Sequence, residues 1–382
     1  MIEDFLSPVT NLLQQHQRAS NPFCLCQFIE TFTEEDHLRH YKLALLGVKE
    51  NRNTHYQENN NPNPDKVREA FYTLYPGHWK ARIVDMGNIQ QGATAEDTYF
   101  AMQAVCAQLL KRDIIPLIIG GVDMLTYTQY RAYDQLKQTV DLVHIDSRFD
   151  IGKSDQPLTS TSYLNRIITS SPQKLFNYYH LGYQTYLIAQ PEIDLMSQLN
   201  FEYYRLGEIV ENLSEAEPIF RNADMVSLDL SAIRLADAPG QAAGSPNGLN
   251  GREACTLSRY AGLSNKVSSL GIYEYHADKD LNGQTAQLIA QIIWYFIEGY
   301  QIRTLDKPFN DSNDYKKYHV PHPDRDLIFL QSTHTEKWWM ELPTLKKNLL
   351  KKYYVACSHN DYLKAIQGEI PDRWWKTYKK YL

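Results

Sequence analysis

Two aspartates close the stretch TVDLVHIDSRFDIG (139–152): Asp146 and Asp150 stand at the end of an apolar run, with Arg148 midway between them. Carboxylates released from a buried strand suit a hard divalent cation, whose preferred donors are oxygens. A guanidinium is the opposite kind of group, all donors and permanent charge with no lone pair to give. Three other stretches also end an apolar run in an acid: PLIIGGVDML (116–125) with Asp123, MVSLDLSAIRLADAPG (225–240) with Asp229, and GIYEYHADKD (271–280) with Glu274. Carboxylates crowded without a cation repel one another and raise at least one pKa, and a fork-shaped guanidinium can bind two of them. The expectation is that Arg148 replaces an ion, its nitrogens about 2.7 to 2.9 Å from two of the carboxylates.

The elements that must carry these residues are legible as alternation. Short apolar runs at 42–47, 81–85, 114–119, 140–146, 177–182, 225–230 and 268–274 read as strands, separated by helical patterns such as AEDTYFAMQAVCAQLLKRD (95–113) and GQTAQLIAQIIWYFIEGY (283–300). This is the pattern of a three-layer α/β/α fold with a mostly parallel central sheet, in which ligands collect at the carboxyl ends of the strands. Residues 1–40 read as an N-terminal extension and 41–300 as the α/β domain. Residues 301–382 read as a C-terminal aromatic-rich extension packed on the core, with Trp pairs at 338/339 and 374/375. The polar segment 55–66 reads as a surface loop. His144 and His180, inside apolar strands, read as core histidines.

Composition narrows the partners. A net charge of -6 gives no cationic surplus for nucleic acid. No apolar run approaches the eighteen or so residues of a membrane span, and the acidic start MIEDFLSPV lacks the basic region of a signal peptide, so a cytoplasmic protein is expected. Five cysteines on scattered segments read as reduced, buried thiols. The 27 Tyr and 6 Trp suit aromatic packing or an interface, and a homo-oligomer is compatible with them.

The four acid-bearing segments, in this order, resemble the ureohydrolase family of arginase, agmatinase and formimidoylglutamase, which hydrolyse guanidino or formimino C–N bonds with paired manganese. The resemblance covers residues 41–300. NPDKVREA (63–70), DMGN (85–88) and PNGLNGREA (246–254) support its register, and the whole chain looks like a divergent bacterial formimidoylglutamase-like branch. It implies catalytic roles for Asp146 and Glu274, ligand contacts for Arg148, Asn165 and Glu274, and metal contacts for Asp123, Asp146, Asp150 and Asp229. Family ligand positions fall on Asp123, Asp146, Arg148, Asp150, Asp229 and Ser231, so three of six are intact; a slip of one residue would put Met124 in place of Asp123. The loop PLTSTSYLNRI (157–167) has Asn165 and Arg166 where the family keeps a proton-shuttling His.

A full dimanganese centre is therefore not expected, and any manganese is expected to bind weakly as one ion. Three roles follow: a ureohydrolase-fold protein with a degenerate metal site that binds a small cationic guanidino or formimino ligand or acts as a scaffold, an amidine hydrolase of formimidoylglutamase type using one divalent ion on the remaining aspartates, or a structural module working through its aromatic tail.

Overall fold

The computed structural model describes residues 2–52, 62–152, 159–171, 173–304, 306, 314–323, 325–343 and 353–381. Ten strands in chain order form the main sheet: β1 Leu6–Ser7, β2 Ile29–Thr31, β3 Leu43–Val48, β4 Ile83–Ile89, β5 Ile115–Ile119, β6 Val140–Ile145, β7 Leu175–Tyr183, β8 Glu202–Arg205, β9 Met225–Asp229 and β10 Ser269–Tyr273. Their spatial order is β1-β4-β3-β5-β10-β9-β6-β7-β8, with β2 also on β4. Only β1 runs antiparallel to its neighbour. All seven strands expected from the apolar runs form, with ends shifted by a few residues.

Side-chain alternation along each strand divides the core into two layers. Leu45, Leu117, Ile145, Leu228 and Ile272 face one cluster, which includes Leu257, Ile289 and Phe296 of helices Gly251–Leu263 and Gln284–Gln301. Ala44, Leu46, Ile118, Leu142 and Tyr273 face the other, with Met102, Val105 and Leu109 of helix Ala95–Leu110. The helix starts follow the sequence chemistry. Thr94 with Asp97, and Asn250 with Glu253, form reciprocal capping boxes. Among the described residues, no helix is long and apolar enough to cross a membrane.

The N-terminal segment joins the main sheet through β1 and β2. In the segment expected to be a polar loop, 55–61 lie outside the described residues, whereas Pro64 opens helix Pro64–Tyr72, with the Asn63 side chain accepting from Asp65 N–H. Arg68 of that helix is fully buried. It donates to Asp85 (2.8 and 3.1 Å), Asn88 Oδ1 (2.7 Å), Gly87 O (2.8 Å) and Asp65 Oδ1 (3.0 Å), and Tyr72 donates to Asp85 Oδ2 (2.7 Å). The stretches NPDKVREA and DMGN are thus bound into one buried ion-pair network.

The C-terminal segment forms a second, four-stranded antiparallel sheet, β11 Tyr315–Val320, β12 Leu327–Ser332, β13 Trp338–Leu342 and β14 Tyr353–Cys357, with helices His359–Ile366 and Asp372–Tyr381. It has its own core around Phe329, Trp338, Met340, Val355 and Trp374. Arg221 fastens it to the main domain. Its guanidinium donates to the carbonyls of Trp338 (2.9 Å) and Cys357 (2.8 Å) and lies 4.8 Å from the Trp339 ring centre. Trp338, Trp339 and Trp374 are buried, while Trp375 is partly exposed.

Candidate metal and ligand site

The order β5-β10-β9-β6 makes neighbours of the four strands whose ends carry the acids, although they are far apart in sequence. Asp123 follows β5, Glu274 follows β10, Asp229 ends β9, and Asp146 and Asp150 follow β6. Gly121 permits the approach: a Cβ there would sit 1.9 Å from the Glu50 carbonyl oxygen. Its own carbonyl accepts from Glu274 N–H (2.7 Å), and Asp123 N–H donates to Glu274 Oε1 (2.9 Å), which ties the first acid segment to the last. Met124 packs in the apolar core, so Asp123 is the residue that the turn delivers to the site.

Asp123, Asp146, Asp229 and Glu274 are buried, and Asp150 is half-buried. Burial together with mutual repulsion pushes the carboxyls of Asp123, Asp150 and Asp229 well above the usual carboxylate range. Asp146 goes the other way. Burial alone would raise it, but His144, a hydrogen bond with Asp150, His180 and the Ser231 hydroxyl together hold it below that range. The same proximity acts in opposite directions on the two carboxyls, raising Asp150 and lowering Asp146. Ser231 supplies two donors: its hydroxyl reaches Asp146 Oδ1 (2.5 Å) and its N–H reaches Asp229 Oδ1 (2.5 Å). Glu274 Oε2 pairs with His276 Nε2 at 3.1 Å. Asp150 (φ 51°) and Glu274 (φ 64°) both hold left-handed backbone, unusual for side chains other than Gly and typical of functional turns.

The guanidinium bridge expected of Arg148 is not formed. Arg148 reaches the cluster through its backbone N–H, which donates to Asp146 Oδ1 (3.2 Å). Among the described residues no ion pair within 4 Å joins its guanidinium to Asp146, Asp150 or Asp229. Ser231 supplies donors to one oxygen each of Asp146 and Asp229 in place of the fork. The Arg148 charge still favours the ionised form of Asp150, though more weakly than burial and Asp146 oppose it. Asn165 is half-buried on helix Tyr163–Thr169, and no hydrogen bond joins its side chain to the aspartates among the described residues. Part of the loop before it, 153–158, lies outside the described residues. The residue of this helix that reaches the site is Tyr163.

Sequence reasoning missed a buried chain of four side chains. Tyr163 Oη lies 2.9 Å from His144 Nε2, His144 Nδ1 lies 2.9 Å from Tyr178 Oη, Tyr178 Oη lies 2.9 Å from His180 Nδ1, and His180 Nε2 lies 2.9 Å from the Asp146 carbonyl oxygen. All four are fully buried. The overlooked signal was parity: His144 precedes Asp146 by two residues, so a strand turns both to the same face.

Two adjacent ions need more ligands than remain, since an arginine cannot ligate and the Ser231 hydroxyl is spent on Asp146. One ion fits. Asp146 Oδ2 is buried with no hydrogen-bond partner, and Asp123, His144 and Asp146 each offer a ligand atom within 4.8 Å of the others. Two metal–ligand bonds of about 2.0 to 2.6 Å span such a separation.

Fold and site together define a three-layer α/β protein with a carboxylate cluster at the ends of adjacent parallel strands, the ureohydrolase class. The sequence model of the arginase family matches residues 41–298, and the chain belongs to that family. It is 25% identical over 244 residues to formimidoylglutamase of Staphylococcus haemolyticus, a match covering 61% of this chain and 78% of that one. The structure of formimidoylglutamase from Bacillus subtilis superposes with a TM-score of 0.65 at 20% identity, over 74% of this chain and 92% of the other. That of Trypanosoma cruzi formiminoglutamase with manganese gives 0.65 at 17% identity, over 74% and 99%.

Proposed function

We propose that this ureohydrolase-fold protein binds a small cationic amidine, of guanidino or formimino type, at the strand-end carboxylates, and that it does not run two-ion hydrolysis. The observation that carries the reading is Ser231: it occupies Asp146 and Asp229 with its own donors where a second ion would have to be held. Asp146, held below the usual carboxylate range, and Glu274 supply the negative field for the ligand. Glu274, held by Asp123 N–H and His276, is the fixed carboxylate against which a planar amidinium is oriented. A cavity of about 380 Å³ lined by Gln184, Arg205, Arg234 and Asn247 opens beside Ser147, whose carbonyl accepts from Gln184 N–H (3.1 Å). Two guanidinium groups there suit the carboxylate end of an amino-acid-like amidine.

The unpartnered Asp146 Oδ2 favours a second reading, a formimidoylglutamase-type hydrolase with one divalent ion. Such an ion would lower the pKa of a bound water. Assays of arginine, agmatine and formiminoglutamate with added manganese separate the two. Turnover is expected to stay at background while the amidines raise the melting temperature. Turnover that disappears on chelation and in Asp146→Asn would replace the binding role with the one-ion hydrolase.

A further inference from the structure

The arginase-family match ends at residue 298, and the C-terminal sheet beyond it has a cavity of its own, about 520 Å³ in volume. It lies between the start of β12, at Leu327, and helix Asp372–Tyr381. Two residues one helical turn apart form an aromatic wall: Trp374 and Tyr378 are stacked, their ring centres 5.1 Å apart at an angle of 24°. Trp374 is buried and its indole N–H donates to the Glu341 carbonyl (3.0 Å), so what it adds to the cavity is apolar ring surface. Trp375 also lines the cavity, yet it is 42% exposed. A large ring left that open to water has apolar area to give to a ligand. Charge at the mouth is mostly positive. The Arg325 guanidinium lies 5.5 Å from the Tyr378 ring centre, and Lys379 Nζ lies 5.1 Å from that of Trp375. A guanidinium stacked on a ring keeps N–H donors at its edge, where they match the fork of a carboxylate or phosphate. The acid among the described lining residues, Asp372, stands in the first turn of its helix, where the helix N-terminus favours its charge.

We propose that this cavity is a second ligand site, for a small planar aromatic anion whose ring packs against Trp375 and Tyr378 and whose anionic group pairs with Arg325. The volume suits a molecule of two fused rings and one charged group. A nucleoside monophosphate and a fused-ring carboxylate share this chemistry. The site has no residue in common with the carboxylate cluster and takes a ligand of the opposite charge. It therefore stands or falls independently of amidine binding and of turnover.

Calorimetric titration of the full-length protein with adenosine monophosphate and, separately, with naphthoate distinguishes the two sources of such a ligand. At least one is expected to bind with a Kd below about 1 mM. Adenosine, naphthamide and inorganic phosphate, which carry only the ring or only the charge, should each bind at least about tenfold more weakly. Arg325→Ala should weaken binding of the anion about tenfold and leave its neutral counterpart unchanged, whereas Trp375→Ala should weaken both. Both side chains are exposed, so both variants should keep the melting temperature of the parent protein. Failure of both anions to bind, equal affinity for charged and neutral forms, or binding that survives both substitutions would overturn the proposal. So would a dimer that Trp375→Ala dissolves while neither anion binds, which would give the cavity to a second copy of the chain.

Discussion

At the scale of single residues, the site shows how a carboxylate cluster is kept when its cation is not assured. Crowded acids are stabilised by whatever donors the fold brings near, and here these are the Ser231 hydroxyl on Asp146 and the Ser231 N–H on Asp229. The arrangement has a pH signature. Asp229 holds its proton more tightly in the folded state than in the unfolded chain, where its pKa is about 3.9. Its stabilising contribution is therefore complete below that value and is lost as pH rises toward the higher folded pKa. Asp229→Asn removes this loss and keeps an oxygen for Ser231 N–H. In chelator at neutral pH it should raise the melting temperature and flatten its fall above pH 4. A lower melting temperature at every pH would show that Asp229 serves as an anion in the metal-free fold.

At the scale of elements, the least replaceable contact joins helix Pro64–Tyr72 to β4. Arg68 and Asp85 are both fully buried, and the Arg68 donors go to Asp85, Asn88, Asp65 and the Gly87 carbonyl. Removing one partner of a buried pair strands the other charge, so Arg68→Ala should cost about 3 to 5 kcal/mol, measured by denaturant unfolding. A loss below about 1 kcal/mol would mean that water reaches Asp85. This network holds NPDKVREA and DMGN, and so two separate elements, in place against each other. The capping boxes at Thr94 and Asn250 are local devices, each needing only residues three apart.

At the scale of the whole molecule, Arg221 links the two sheets through the Trp338 and Cys357 carbonyls and the Trp339 ring, while Glu217 of its own helix holds it at 2.9 Å. Arg221→Ala should expose β13 and β14 to hydrogen exchange well before the parallel sheet opens, whereas simultaneous loss of protection in both sheets would show that they unfold as one unit. The sequence by itself determined the parallel sheet, its seven central strands and the acids at their ends, because hydrophobic periodicity and strand-end polarity are local properties. It also marked Arg148 and Ser231 as departures from the family's ligand set. Only the tertiary structure decided what those departures do. The strand order β5-β10-β9-β6 joins residues 44 to 153 positions apart, and pairing across such distances leaves no trace in local spacing. It gave the donors on Asp146 and Asp229 to Ser231 and not to the Arg148 guanidinium, and it set His144, the buried core histidine expected from sequence, beside Asp123. Which donor reaches a buried carboxylate depends on ångström-scale packing of separate strands, and composition and period cannot encode that.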